Sequence, residues 1–337
     1  MFEPVAISHP VIVQSINTEL SNFNVRLEQV LAMGKSAQDF DFTDSRATYF
    51  TTLKLFGSTV LQCMAIDEAT GDIYATQVDN QLESGAIQSF RIVHLDQNGM
   101  MLDWMACKYG GHGTTFGIEN EKGKVYIWSY YSNAKGEHKL VRFPYQPGTV
   151  IDGSTVKAYD RFTEEYMTPT IDQKNGTIAF RIVHPDRSQS IELRKLQDVK
   201  KGKNKVLATF TLPSKYTQTM QGMTTDGYDL YWYTGTSNKK GIVDPWRLIR
   251  FDMSTGTMKG ILTCDFGRES DGKWREGFRE PESIYLYTNP KTGQKSLFAG
   301  IVVGKRFNRV AKIFAFHQSE DYRTLSANNG NERKSKM

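Results

Sequence analysis

Apolar and polar residues alternate in short runs over most of this chain, and the runs recur at a regular spacing. Lys124-Val125-Tyr126-Ile127-Trp128 and Asp229-Leu230-Tyr231-Trp232-Tyr233 are β-branched and aromatic, the composition of strands rather than helices. Five apolar pairs mark the period: Ile73-Tyr74, Val125-Tyr126, Ile178-Ala179, Leu230-Tyr231 and Leu297-Phe298, at offsets of 52, 53, 52 and 67 residues. A second mark follows each pair, at Phe90-Arg91-Ile92, Val141-Arg142-Phe143, Leu193-Arg194-Lys195, Ile249-Arg250-Phe251 and Ala311-Lys312-Ile313. Two signatures sharing one period of about 50 residues are the mark of propeller blades or a similar repeat array. The fold class is therefore all-β, a five-bladed β-propeller of four-stranded blades.

Strands follow blade by blade. Blade one takes Thr59–Asp67, Asp72–Gln77, Ile87–Leu95 and Met100–Ala106; blade two takes Thr114–Glu119, Lys124–Tyr130, Lys139–Phe143 and Thr155–Tyr159. Blade three takes Thr168–Asp172, Thr177–Val183, Ser190–Leu196 and Lys205–Leu212; blade four takes Thr219–Thr225, Leu230–Thr234, Trp246–Phe251 and Gly256–Cys264. Blade five supplies three, Glu282–Tyr287, Ser296–Val302 and Val310–Phe316. Hairpin signals such as Lys174-Asn175-Gly176 and Asp226-Gly227 separate first from second strands. Thr48–Leu55 has no partner in blade one, so it is expected to pair with Val310–Phe316 and close the ring, which hides a long edge.

The N-terminus follows a different period. Ile16, Leu20, Phe23, Leu27 and Val30 alternate spacings of four and three, a heptad seam that stops at Gly34. One short α-helix with such a seam needs a partner surface, either its own domain or an identical subunit. The domains read as 1–40 for the helix-bearing segment, 46–318 for the propeller and 319–337 for a polar, flexible tail.

Composition changes this picture little. The net charge of +5 mildly favours acidic partners, but no basic stripe interleaved with aromatics points to nucleic acid. Cys63, Cys107 and Cys264 are an odd three without CxxC spacing, so neither a disulfide framework nor a zinc site is expected. None of the six His residues is spaced as a ligand pair, and no metal or cofactor is called for. No signal peptide or transmembrane run is visible, so the expected route out of a cytosol is lysis or a particle.

In a propeller the first strand of each blade lines the central channel. Aligned on the repeat, those positions hold Gln62, Thr114, Met167, Gln221 and Glu280, a mostly neutral set suited to hydrogen bonding. The most charged loop is Trp274-Arg275-Glu276-Gly277-Phe278-Arg279-Glu280-Pro281-Glu282. Strand geometry would put Glu280 and Glu282 on one face about 7 Å apart, a separation open to two-carboxylate glycosidase chemistry. Against that, Arg-Glu pairs beside Pro commonly lock neighbouring blades. Gly110-Gly111-His112-Gly113 lacks GxGxxG, a Walker Lys and a following helix, so a tight blade-to-blade crossing is the reading. The repeated Arg91, Arg142, Arg194, Arg250 and Lys312 read as scaffold. Trp246 and Trp274 stand at loop or strand-start positions, where exposed rings would serve as a carbohydrate platform.

Lys108-Tyr109-Gly110-Gly111-His112-Gly113, Gln221-Gly222-Met223-Thr224-Thr225-Asp226, Trp246–Phe251 and Arg279-Glu280-Pro281-Glu282 carry a resemblance over roughly residues 46–318. The chain resembles the five-bladed propellers of staphylococcal-phage receptor-binding proteins, the teichoic-acid protein C group and the bacteriocin helveticin J. That resemblance implies a non-enzymatic module recognising a cell-wall glycopolymer, teichoic acid, in a virion or extracellular setting, with a homotrimer formed through the N-terminal helix. It transfers no site residues. From the residues themselves, the candidate ligand-binding set is Gln62, His112, Thr114, Gln221, Trp246, Trp274, Arg279, Glu280 and Glu282, with no catalytic residue. The alternatives are a helveticin-like bacteriocin and a propeller hydrolase or lyase acting on a wall polysaccharide.

Overall fold

The computed structural model describes residues 40–317 except 44–46, 58, 83–87, 115, 133–137, 160–165, 218, 238–244, 268–277 and 305–307. The heptad seam, the tail from residue 319 and Trp274 therefore lie outside the described residues. The compact unit that begins at Phe40 is built almost wholly from antiparallel strands arranged in five sheets.

The first strand, β1 (Thr48–Leu53), belongs to the last blade. Blade one runs β2 (Leu61–Ile66), β3 (Ile73–Val78), β4 (Phe90–Leu95) and β5 (Met101–Lys108). Blade two has β6 (Gly117–Glu121), β7 (Lys124–Ser132) and β8 (His138–Pro144), after which β9 (Val150–Asp152) crosses back to blade one. Blade three has β10 (Tyr166–Asp172), β11 (Thr177–Val183), β12 (Gln189–Lys195) and β13 (Val206–Thr211). Blade four has β14 (Met220–Asp226), β15 (Asp229–Thr234), β16 (Arg247–Asp252) and β17 (Thr257–Thr263). Blade five has β18 (Phe278–Thr288), β19 (Lys295–Gly304) and β20 (Val310–His317). The inner strands β2, β6, β10, β14 and β18 neighbour one another in that order, and β18 lies against β2, which closes the ring.

The expected closure is present: β1 pairs antiparallel with β20 from Thr48↔Ala315 to Leu53↔Ala311 and becomes the fourth strand of blade five. Phe40 and Phe42, just upstream, are buried against Tyr231 and the blade-five core, and Arg250 Nη1 donates to the Phe40 carbonyl at 3.0 Å. The propeller core thus takes in residues earlier than the strand pattern indicated, because two aromatic side chains find a socket between blades.

Blade two departs from the expected plan. Its outer strand, expected at Thr155–Tyr159, is reduced to a bridge between Val141 and Ala158. The chain instead follows the outer edge of blade one, where β9 pairs parallel with β5. Gly148 N donates to Trp104 O at 2.7 Å and Ala106 N donates to Thr149 O at 2.9 Å, so the crossing satisfies edge groups that would otherwise face water. A second departure is a single-turn helix, α1 (Leu196–Lys200), where the strand was expected to end. Its Leu196 and Val199 are buried with Trp128 in the seam between blades two and three.

The repeated cations act as scaffold in four blades. Arg91 Nη2 pairs with Asp79 at 2.7 Å while its guanidinium lies 3.6 Å from the Phe56 ring centroid and 4.3 Å from that of Trp104. Arg142 holds Glu119 at 2.8 Å and Glu121 at 2.7 Å, Arg194 pairs with Glu192, and Arg250 pairs with Asp229. Lys312, the fifth mark, is half-buried.

At one end of the axis the turns between first and second strands stitch the blades together. Asn120 Nδ2 donates to Asp67 at 2.8 Å, Asn175 Nδ2 donates to Asp226 at 3.1 Å, and Gly227 N donates to Asp172 at 2.8 Å. Gln173 Nε2 reaches both Ile66 O at 2.8 Å and Tyr285 Oη at 2.7 Å, and Lys295 pairs with Asp226. Glu68 faces Asp172, Asp226 and Lys174 and takes a hydrogen bond from the Thr288 backbone; burial, then the charge of Asp172, pushes its carboxyl up to about 8. The three cysteines are buried thiols, and among the described residues no helix is long and apolar enough to cross a membrane.

Candidate functional site

The opposite end of the axis opens into a cavity of about 600 Å³. Three inner strands around it carry a bulge at the cavity: the register shifts between Leu61 and Cys63 in β2, between Met220 and Gly222 in β14, and between Glu282 and Ile284 in β18. The residues skipped by the ladder are Gln62, Gln221 and Ser283. A bulged residue leaves the pleat's alternation, so its side chain can be aimed independently of its neighbours. Gln62 and Gln221 both reach the cavity wall. Ser283 holds the bulge in place, since Met64 N donates to its hydroxyl at 2.7 Å, and it adopts the left-handed region at φ 65° although it is not glycine.

The loop before β6 adds His112 and Thr114 to the wall. Thr76 donates to the Gly113 carbonyl at 2.6 Å, and Gly113 sits at φ +75° against Phe90, where a Cβ would press on that ring. His112 stands at the rim with Nδ1 2.5 Å from Gln88 Oε1. The walls around its imidazole desolvate the ring and lower its pKa, so it is neutral at pH 7. From β18, Glu280 and Glu282 both face the cavity, on one face as the spacing predicts. Glu282 is only 5% exposed, and burial, reinforced by the neighbouring Glu280 and opposed by Arg309, raises its carboxyl well above the usual range. That shift favours the protonated carboxyl, which can both donate and accept.

Six of the nine candidate residues, Gln62, His112, Thr114, Gln221, Glu280 and Glu282, thus meet in one cavity. Trp246 does not join them. It is 6% exposed, its Nε1 donates to Thr236 O at 2.9 Å, and the Arg279 guanidinium lies 4.2 Å from its ring centroid. The exposed platform expected of this ring is not formed, because cores from blades four and five enclose it. Arg279 is likewise buried on that ring. Met167, expected at the channel, is buried beside Trp128 and Phe180. Asn80, Gln88, Thr219 and Arg309 are also part of the wall, and the sequence reasoning did not single them out. Asn80 and Gln88 had a usable signal: loops between second and third strands lie on the same face as the starts of the first strands.

The lining suits a hydroxyl-rich ligand. Amide groups each offer donors and acceptors, which match vicinal hydroxyls in pairs. Among the described residues no group of three or more His, Cys, Asp or Glu could hold a metal ion.

Comparison with known proteins agrees with this architecture. A Bacillus subtilis (strain 168) protein that carries the name major teichoic acid biosynthesis protein C is 38% identical over 292 residues, which cover 84% of this chain and 65% of that protein. The tail fiber of a Staphylococcus aureus phage superposes with a TM-score of 0.73 at 26% identity, covering 89% of this chain and 58% of the fiber. This chain therefore spans less than two thirds of either relative's length. Residues 60–315 match the model of the phage 5-bladed beta propeller receptor binding platform domain, and the chain belongs to that family.

Proposed function

We propose that this chain recognises a cell-wall glycopolymer, teichoic acid, as the receptor-binding part of a phage tail, and that the axial cavity is where it does so. The observation that carries this reading is the cavity's lining, in which the Gln62, Gln88 and Gln221 amides and the buried Glu282 carboxyl converge on one space of about 600 Å³. The kinship with a tail fiber and with a teichoic-acid biosynthesis protein supports the choice of polymer and the virion setting. A single site of this kind binds weakly, and a trimer joined through the N-terminal seam would raise avidity. Pull-down against purified walls with and without teichoic acid tests it. Capture should require the polymer and should fall in the Gln62→Ala, Gln221→Ala double variant; equal capture by both walls would end the reading.

A hydrolytic reading is favoured by one observation, the buried Glu282, its carboxyl pKa raised by burial, beside Glu280 in the same cavity. Two carboxyls facing one space are what glycosidase acid–base chemistry needs. Soluble fragments released from walls by the parent protein, and absent with Glu280→Gln and Glu282→Gln together, would select it over pure binding.

A further inference from the structure

A smaller hollow of about 180 Å³ adjoins the axial cavity. It runs outward over the gap between blades one and five, and Thr59, Val60 and Arg309 line both spaces. Its chemistry differs from that of the axis. Lys54, exposed, and Arg309, half-buried, line it, and among the described residues no acidic side chain does. The axial cavity carries Glu280 and Glu282 together with its amides.

The wall shared by the two spaces is held rigidly. The buried Gln77 accepts from Phe56 N at 2.9 Å and donates to the Thr59 carbonyl, and Phe56 is pressed against the paired Arg91. Arg309 is oriented as well, with its guanidinium 3.5 Å from the Phe278 ring centroid. A groove built in advance loses little entropy when a ligand settles into it.

We infer that the axial cavity and the Lys54–Arg309 hollow form one groove that reads two successive units of a polymer, a hydroxyl-rich unit at the axis and the adjoining phosphodiester between Lys54 and Arg309. The inference rests on the glycopolymer reading above and fixes its register. A phosphodiester, always anionic, is drawn to the side of the groove that carries Lys54 and Arg309 and, among the described residues, no acidic side chain. The reverse placement would set a neutral unit beside the cations and the anion beside Glu280 and Glu282.

The test takes teichoic acid from a wall that the protein captures, cut to single repeats with and without their phosphodiester, and titrates each into the full chain by calorimetry. Two partly exposed charge contacts should make the phosphodiester-bearing repeat bind about five-fold tighter at low salt. Lys54→Glu should erase that difference without changing affinity for the dephosphorylated repeat or the melting temperature, and Lys54→Arg should keep it. Equal affinity of the parent for both repeats, or equal weakening of both by Lys54→Glu, overturns the groove and leaves axial recognition standing. If the parent binds neither repeat, the glycopolymer reading itself falls.

Discussion

Replacing Glu68 by Gln should stabilise the propeller, and more so the higher the pH. Glu68 lies in the turn belt at the end of the axis opposite the cavity, facing Asp172, Asp226 and Lys174, while Lys295 is already paired with Asp226. Its carboxyl moves from 4.5 to about 8 on folding, so the native state holds a proton that the unfolded chain releases. Folding is then least penalised below pH 4.5 and loses stability as pH rises through about 8. At about 1.4 kcal/mol per pH unit the full shift sets a ceiling of about 5 kcal/mol. Glu68 keeps some contact with water, which returns part of its hydration, and the net effect should be about 1–3 kcal/mol. Urea unfolding of parent and variant at pH 5, 7 and 9 reads it directly. The advantage of Glu68→Gln should be small at pH 5 and grow to its full value by pH 9. An advantage of the same size at all three would show that the gain comes from shape or local hydrogen bonding, and that the buried-charge reasoning is wrong.

Two further outcomes test the fold and one tests the proposed N-terminal seam. Removing residues 1–55 takes away β1 and the buried Phe40 and Phe42, and should abolish cooperative thermal unfolding, whereas Phe42→Ala alone should cost about 3–5 kcal/mol. Arg91→Met leaves Asp79 buried without its partner and should cost about 3–5 kcal/mol, much of it recovered when Asp79→Asn is added. Leu20→Asp with Leu27→Asp should turn an oligomer into monomers with unchanged propeller melting by sedimentation; a parent that is itself monomeric at micromolar concentration removes the avidity argument.

Much of this architecture was legible because repetition multiplies weak signals. One apolar pair says little, but five at one period fix the blades, and aligning them places Gln62, Thr114, Gln221 and Glu280 at the channel before any contact is known. The misses are non-local. Trp246 follows Asp244-Pro245 and looks like an exposed loop residue, yet blades four and five close over it. Arg309 reaches the cavity only through the register of β20 on β19. The bulges at Gln62 and Gln221 are invisible to an alternation pattern, which counts residues and cannot see one omitted from the ladder. The crossing of β9 depends on an open edge elsewhere, and α1, at five residues, is too short to show a period.

The polarity of the closing strand has a mechanical consequence. Leu53 and Ala311, at one end of the β1–β20 pair, stand beside the ligand-facing hollow, whereas Thr48 and Ala315 lie at the other end. A pull taken up at the cavity and resisted through the chain before Thr48 therefore runs lengthwise along β1. Inter-strand hydrogen bonds lie across that direction, so the whole ladder shares the tension at once instead of parting rung by rung. An outermost strand, ordinarily the first to peel, is here mounted so that a load along the chain is met in shear.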